Sequence, residues 1–485
     1  MDILKSYKSK NINKLGLLSC LLLIASPWLI LFIISLITGH HFTKSVPVWS
    51  DELSYWHEIL SLSQKGLQHG YYTYNEVIPA LSSFGSHGFG TVSVYVLFAK
   101  VFGWNTYSIV IANTFFMSLA FLFLCIMLKP SAKNSGFILL FTVSYSPYLL
   151  FSVTSMSEGL NYALMIVYFS LLNVYIQRDS KVLLVSILAV CTTFSFVRII
   201  YVLLFLPILF IRNKEFKFDL KLLINMLLWI VFSAILFAIS SQFVSAYPDS
   251  FLNDLFTGTG IAEKISRFAV HFSDNLLKFI NPFSENLLQV SERYFILMVL
   301  IYSLLKSHIF QYKLTRIEIR YFVVFLILFS VLMITFGAYD VFDWRDYRVL
   351  APVLYGCVLY LILNANNFEM SGLLTINVLV MVFLMSSSLT WKLFSEDRYC
   401  KPITNNMLAR IKYTANARNY FENTLVVQSF NQKTVFCIPA GIGITTVDSI
   451  SDKLHSKYIF SKNILKLKTY TLIDFDSSGY LYRKD

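Results

Sequence analysis

Long apolar runs dominate the chain, and polar residues gather between them. The first run extends from about Leu15 to Ile37, preceded by Lys5, Lys8, Lys10 and Lys14. It is longer than the apolar region of a signal peptide, and Gly39-His40-His41-Phe42 is no cleavage site. A retained first helix with its N-terminus inside is expected. Further runs lie near 107–128, 135–154, 159–176, 182–197, 199–211, 222–244, 293–306, 320–339, 349–364 and 371–391. The stretch 182–211 is too long for one upright helix at about 1.5 Å per residue, so it is split at Arg198. The pattern predicts an all-α polytopic membrane protein of eleven spans, with its C-terminus outside.

Residues 89–102 are apolar but short of the roughly 17–25 needed to cross a bilayer. They are expected to lie at the interface. Lys129, Lys133, Arg178, Lys181 and the basic residues of 306–320 then fall on the cytoplasmic side. Counting 89–102 as a span would reverse every later loop and spoil this bias.

Three external pieces of some length result: a first loop at 39–106, another loop at 245–292, and the region 392–485. The expected domains are a membrane domain, 1–391, and a small external α/β domain, 392–485. In the latter, 403–421 reads as a helix, and 424–428, 434–438 and 468–474 read as strands. No internal repeat points to an inverted-repeat transporter.

Composition closes off the soluble classes. Of 485 residues, 56% are hydrophobic and 14% charged, against roughly 25% charged in soluble domains. The mean hydropathy is +0.62. No CxxC, GxGxxG or Walker A motif is present, which excludes zinc ribbons, thioredoxin-type proteins and soluble Rossmann enzymes. The net charge of +12 reads as topology charge, and no nucleic-acid partner is expected. Cys20, Cys125, Cys191 and Cys357 sit in spans as small packing residues. Cys400 and Cys437 are external, as one disulfide or two thiols.

The first external loop carries the candidate chemistry. It begins Val46-Pro-Val-Trp-Ser-Asp51-Glu52-Leu-Ser-Tyr55-Trp56-His57-Glu58. On a helical projection of 53–67, Leu53, Tyr55, Trp56, Ile59, Leu60 and Leu62 share one half, while Ser54, His57, Glu58, Ser61 and Gln64 share the other. An amphipathic helix lying on the membrane is expected, capped by Ser50 or Asp51. Glu52 projects into its apolar half, where a carboxylate needs a task or a partner. Acids in a first helical turn also favour the helix dipole. An aromatic cluster, Gly70-Tyr71-Tyr72-Thr73-Tyr74, and a glycine-flanked histidine, Gly85-Ser86-His87-Gly88, follow.

Farther along, Asp340-Val-Phe-Asp343-Trp344-Arg345-Asp346-Tyr347-Arg348 lies at an external helix end. Guanidinium forks match phosphate geometry, so Arg345 and Arg348 are phosphate candidates; an Arg–Asp network tying helix ends is the plainer reading. Arg198, with no acid beside it in sequence, reads either as a functional membrane charge or as a charge at an external turn.

The layout over about 16–215, with 340–350 as a further piece, resembles the GT-C superfamily of membrane glycosyltransferases. That group includes protein O-mannosyltransferases and the aminoarabinose transferase of lipid A. The residues carrying the likeness are the acid pair Asp51-Glu52 at the end of a first span, the surface helix, the His87-Gly88 turn, and a short segment ending Phe-Gly-Trp-Asn. The resemblance implies that Asp51 activates the acceptor or holds a metal, with Glu52 as its partner acid. It implies a further acid on the second external loop, matched by Glu158, as a substrate or metal ligand. His87 and Tyr55 are added as substrate contacts. The donor implied is a sugar on a polyprenyl phosphate, transferred with inversion on the external face of the bacterial inner membrane. A divalent ion, Mg or Mn, is a candidate cofactor. The chain lacks the Trp-Trp-Asp motif of enzymes that read a protein sequon, so the implied acceptor is a glycan or glycolipid. Two other readings stand beside this one: an O-antigen or capsule polymerase joining diphosphate-linked repeat units, and a polysaccharide or lipid flippase.

Overall fold

The computed structural model describes residues 14–66, 72–77, 89–178, 180–212, 220–242, 260–281, 287–308, 314–338, 347–364, 367–386, 396–399, 407–417, 419–427, 435–477 and 479–485. Helix covers all eleven apolar stretches within these bounds. Among the described residues, five helices are long and apolar enough to cross a membrane: Lys14–Thr38 (α1), Ser108–Leu128 (α4), Glu158–Arg178 (α7), Leu220–Ser240 and Arg316–Gly337. Their surroundings differ sharply. In α7, 89% of the apolar window is buried by protein; in Leu220–Ser240 only 11% is. The first is the central helix, packed mainly against α4 and against Tyr347–Ile362. The second turns Leu223, Leu227 and Ile230 outward, as lipid contact demands. The chain is an integral membrane protein.

Two breaks in the helical pattern have local causes. The run 135–154 divides into Ala132–Ser144 (α5) and Ser146–Phe151 (α6). Pro147 at the start of the second piece lacks an N–H and disfavours helix before it. The run 182–211 breaks at Arg198, whose backbone is extended between Lys181–Val197 (α8) and a 3-10 turn at Ile199–Phe205. The split expected there is present.

The first loop forms Ser50–Lys65 (α2) and Phe89–Phe102 (α3). At 14 residues, α3 is about 21 Å long, shorter than the ~30 Å hydrocarbon core. Gly90 lets it seat against α8: a Cβ there would stand 2.0 Å from the Phe196 carbonyl oxygen. The neighbouring Thr91 hydroxyl donates to Val197 O at 2.9 Å.

The surface helix is not laid on the membrane as its amphipathicity suggested. Its apolar face, Tyr55, Trp56, Ile59 and Leu62, packs on Val92, Tyr95 and Val96 of α3. Its polar face is covered too: His57 is 1% exposed, Glu58 2% and Ser61 0%. The cover is the C-terminal region. His57 Nε2 meets Ile442 O at 2.8 Å, and Gly441 N donates to Ser61 Oγ at 3.0 Å. Leu53 joins the C-terminal apolar core. A polar face is satisfied equally by water or by backbone groups of a second layer, and here the second layer wins. The cap also differs: the N-cap is Trp49, and Glu52 reaches back to accept from its N–H.

The described strands form one six-stranded sheet. The first loop contributes β1 (Tyr72–Tyr74); the C-terminal region contributes β2 (Thr424–Val427), β3 (Gly443–Thr446), β4 (Tyr458–Ser461), β5 (Tyr470–Asp476) and β6 (Gly479–Lys484). The order is β1-β3-β2-β4-β6-β5. The first four in that order run parallel, and β6 and β5 are antiparallel additions. The unit therefore draws on the first loop as well as on 392–485. The expected helix at 403–421 is absent where described: 407–410 and 420–423 are 3-10 turns. Of the strand expected at 434–438, Val435 is helical and 436–438 follow as a turn and bend. Apolar content misled there, because Met407, Leu408 and Ile411 fill the sheet's core without helical periodicity.

Candidate functional site

The site is built around one turn, residues 152–157, just before α7. Four neighbours grip it. Ser45 Oγ donates to Val153 O at 3.2 Å. Glu52 Oε1 accepts from Ser155 N at 2.6 Å. Asn113 Nδ2 donates to Met156 O at 2.7 Å, and Tyr95 OH donates to Asn113 Oδ1 at 2.5 Å. Arg198 Nη2 donates to Ser157 Oγ at 3.3 Å. Gly159 completes the fit, since a Cβ there would be 2.4 Å from Asn113 Cβ. The turn is thus held by four separate elements, and α7 begins from it with Glu158.

Glu52 is saturated. Its Oε2 accepts from Val48 N at 2.7 Å and Trp49 N at 2.8 Å; its Oε1 accepts from Ser155 N and, at 2.8 Å, from Arg398 Nη1. Both ion-pair partners are buried, at 0% and 2%. The Arg398 guanidinium also lies over the Trp49 ring, 5.3 Å from its centre. Four donors and no exposure give this carboxylate a positioning role: it ties α2, the 152–157 turn and the C-terminal region together. That is the task its placement in an apolar half demanded.

Asp51, one residue earlier, is placed differently. Its Oδ2 accepts from Arg348 Nη2 at 2.6 Å, and the pair is open to solvent, with side chains 33% and 19% exposed. Beneath it lies a closed pair, Glu158 Oε1 with Arg198 Nη2 at 2.8 Å, 0% and 5% exposed. The Met156 sulfur stands 3.9 Å from Arg348 Nη1. Asp51, Glu158 and Arg198 all act electrostatically on Arg348, so the four charges form one cluster. Arg198, which has no acid near it in sequence, meets its acid 40 residues away.

The other sequence candidates fall apart. Tyr55 is 4% exposed within the cluster joining α2 to α3, buried by protein instead of facing a cleft. His87 and Arg345 lie outside the described residues, as does Cys400 of the disulfide expectation; Cys437 is buried. Among the described residues no three His, Cys, Asp or Glu side chains gather to hold a metal. Asp51 and Glu158 each carry a guanidinium instead, which already neutralises them. This donor set does not fit a divalent ion.

Sequence reasoning missed Arg398, Asn113 and the 152–157 turn. A buried arginine in a mostly polar C-terminal region has no sequence signal; its role arises only where Glu52 meets it. Arg198 did have one, an arginine inside an apolar run.

No protein-family model and no curated protein matches the chain. Among the solved structures that match are two that align over most of its length. The structure of ArnT from Cupriavidus metallidurans bound to undecaprenyl phosphate aligns at 13% identity and a TM-score of 0.39, covering 87% of this chain and 85% of that one. The same protein in its apo state aligns at 13% identity and 0.38, covering 87% and 86%. At such identity, the chemistry of this chain has to be read from its own side chains.

Proposed function

We propose that the chain is a membrane glycosyltransferase. It moves a sugar from a polyprenyl-phosphate donor to a hydroxyl of a glycan or glycolipid, on the external face of a bacterial inner membrane. The observation that carries this reading is the open Asp51–Arg348 pair above the buried Glu158–Arg198 pair. A sugar hydroxyl is a weak nucleophile and needs a base; a phosphate leaving group needs a fixed cation. The open pair offers one of each at the same point.

The steps follow from the pairing. Arg348 exchanges Asp51 for the donor phosphate, whose two oxygens suit a guanidinium fork. The exchange frees the Asp51 carboxylate. The acceptor oxygen then attacks the anomeric carbon from the face opposite the phosphate, while Asp51 takes its proton. The bond between that carbon and the phosphate oxygen breaks, and its electron pair leaves with the phosphate beside Arg348. One bond forms, one breaks, and the centre inverts. A positioned base contributes roughly 10²–10⁴-fold to such a step. Glu158 and Arg198 fix the floor of the site, and Glu52 fixes its wall.

The test is transfer by purified protein from a panel of radiolabelled polyprenyl-phosphate monosaccharides. Wild type should transfer from at least one of them. Transfer only from diphosphate-linked repeat units would replace this reading by a polymerase. No transfer from either, with lipid movement across vesicles, would replace it by a flippase.

A further inference from the structure

Beside the charged cluster, the 152–157 turn and the start of α7 carry polar atoms that the fold leaves unsatisfied. Ser155 stands in the turn that leads into α7, and Glu158 and Tyr162, four residues apart at the start of α7, share one helical face. All three are 0% exposed. Ser155 Oγ, Glu158 Oε2 and Tyr162 OH have no hydrogen-bond partner among the described residues, and Asn161 Oδ1 beside them has none either. Native interiors satisfy nearly all such atoms, and each one left bare costs stability. Four within eight residues call for a partner.

Their chemistry says what partner. Glu158 Oε2 and Asn161 Oδ1 only accept hydrogen bonds; the hydroxyls of Ser155 and Tyr162 donate and accept. A phosphodiester has no donors for the two acceptors. An ammonium has no acceptors for the two hydroxyls. A polyol carries both at every oxygen. The walls fit as well: the Tyr148 and Tyr355 rings stand 5.4 and 5.3 Å from that of Tyr162, nearly perpendicular to it. Glu292, buried near Tyr162, accepts from Ser146 Oγ at 3.1 Å.

We propose that Ser155, Glu158 and Tyr162 form a polyol subsite that holds the hydroxyls of the donor sugar. This rests on the glycosyltransferase reading above and gives it a specificity determinant. Arg348 holds the phosphate at the mouth, and the sugar ring reaches inward along α7. The subsite selects the donor sugar by hydroxyl pattern, because an epimer lacking one match leaves a buried acceptor bare.

The experiment separates the sugar from its carrier. Binding of polyprenyl phosphate alone, and of polyprenyl-phosphate hexoses and N-acetylhexosamines, is measured by calorimetry in detergent for wild type and for Ser155→Ala/Tyr162→Phe. The variant keeps the ring packing of Tyr162 and the charged cluster, and a thermal midpoint no lower than that of wild type confirms its fold. Wild type should bind one sugar-linked lipid at least about tenfold tighter than the bare phosphate. The variant should lose most of that ratio while its affinity for the bare phosphate stays within about twofold. A variant that keeps the ratio, or a wild type binding both lipids equally, overturns the subsite alone: ordered water then satisfies these atoms. A variant that loses affinity for both lipids to the same degree also overturns it. A wild type that binds neither lipid overturns the glycosyltransferase reading, and the subsite with it.

Discussion

Asp51 and Arg348, 297 residues apart in sequence, meet at 2.6 Å on the open side of a charged cluster. Each is the group the other would have to release for chemistry to begin. On the function proposed above, a resting pair of this kind would protect a base and a phosphate ligand from stray partners until the donor's own phosphate separates them.

Asp51→Asn keeps the size and a hydrogen-bonding group but cannot take a proton. Transfer should fall by roughly 10²–10⁴-fold with folded protein still present in the membrane. Arg348→Lys retains charge but loses the fork, and should raise the donor KM more than it lowers kcat. Initial-rate kinetics over a donor range check both. An Asp51→Asn protein with full activity removes Asp51 from the chemistry.

The Glu158–Arg198 pair is a structural commitment. Removing one partner strands a charge at a site 0–5% exposed, which costs about 3–5 kcal/mol. Arg198→Leu should therefore lower the thermal midpoint strongly. Adding Glu158→Leu should restore part of the loss. Thermal unfolding in detergent measures the cycle; additive losses would show that the two side chains do not interact.

His57 links stability to pH. Burial lowers its pKa from 6.5 to about 4, and the hydrogen bond to Ile442 O opposes that shift only in part. The folded protein therefore holds the ring neutral, with Nε2–H donating, while the unfolded chain protonates below pH 6.5. Stability is retained above pH 6.5 and declines as pH falls to about 4, by up to ~3 kcal/mol from this residue. His57→Gln keeps a donor for Ile442 O and should flatten the pH dependence over that window. Unfolding midpoints at pH 7 and pH 5, compared between the two proteins, decide it; parallel declines would acquit His57.

Gly90 sits where α3 touches α8. With only 2.0 Å between an added methyl carbon and a backbone oxygen, Gly90→Ala has to push the helices apart. A loss of about 1–3 kcal/mol is expected from overpacking, and the Thr91–Val197 bond should go with it. The readout is protease resistance of the first loop together with the thermal midpoint. A neutral substitution would mean that α3 is free to shift along α8.

Hydropathy alone determined where the helices lie, because lipid leaves a long apolar run no other way to satisfy its backbone. It also marked the break at Arg198, since a run of about 30 residues with a central arginine is a poor single span. Asp51-Glu52 stood out as acids at a helix start, but their division of labour did not. Adjacent residues on a helix point about 100° apart, so only the packed neighbours decide that Glu52 turns inward to four donors while Asp51 turns outward to Arg348. Amphipathicity announced that α2 has two environments, and tertiary structure decided that the polar one is a protein layer. The sheet was the least legible part. Its strand β1 comes from residues 72–74 and pairs with 444–446, and no local pattern encodes a partner so far along the chain. Long-range pairings of this kind, between acid and arginine or strand and strand, are what folding adds to composition and periodicity.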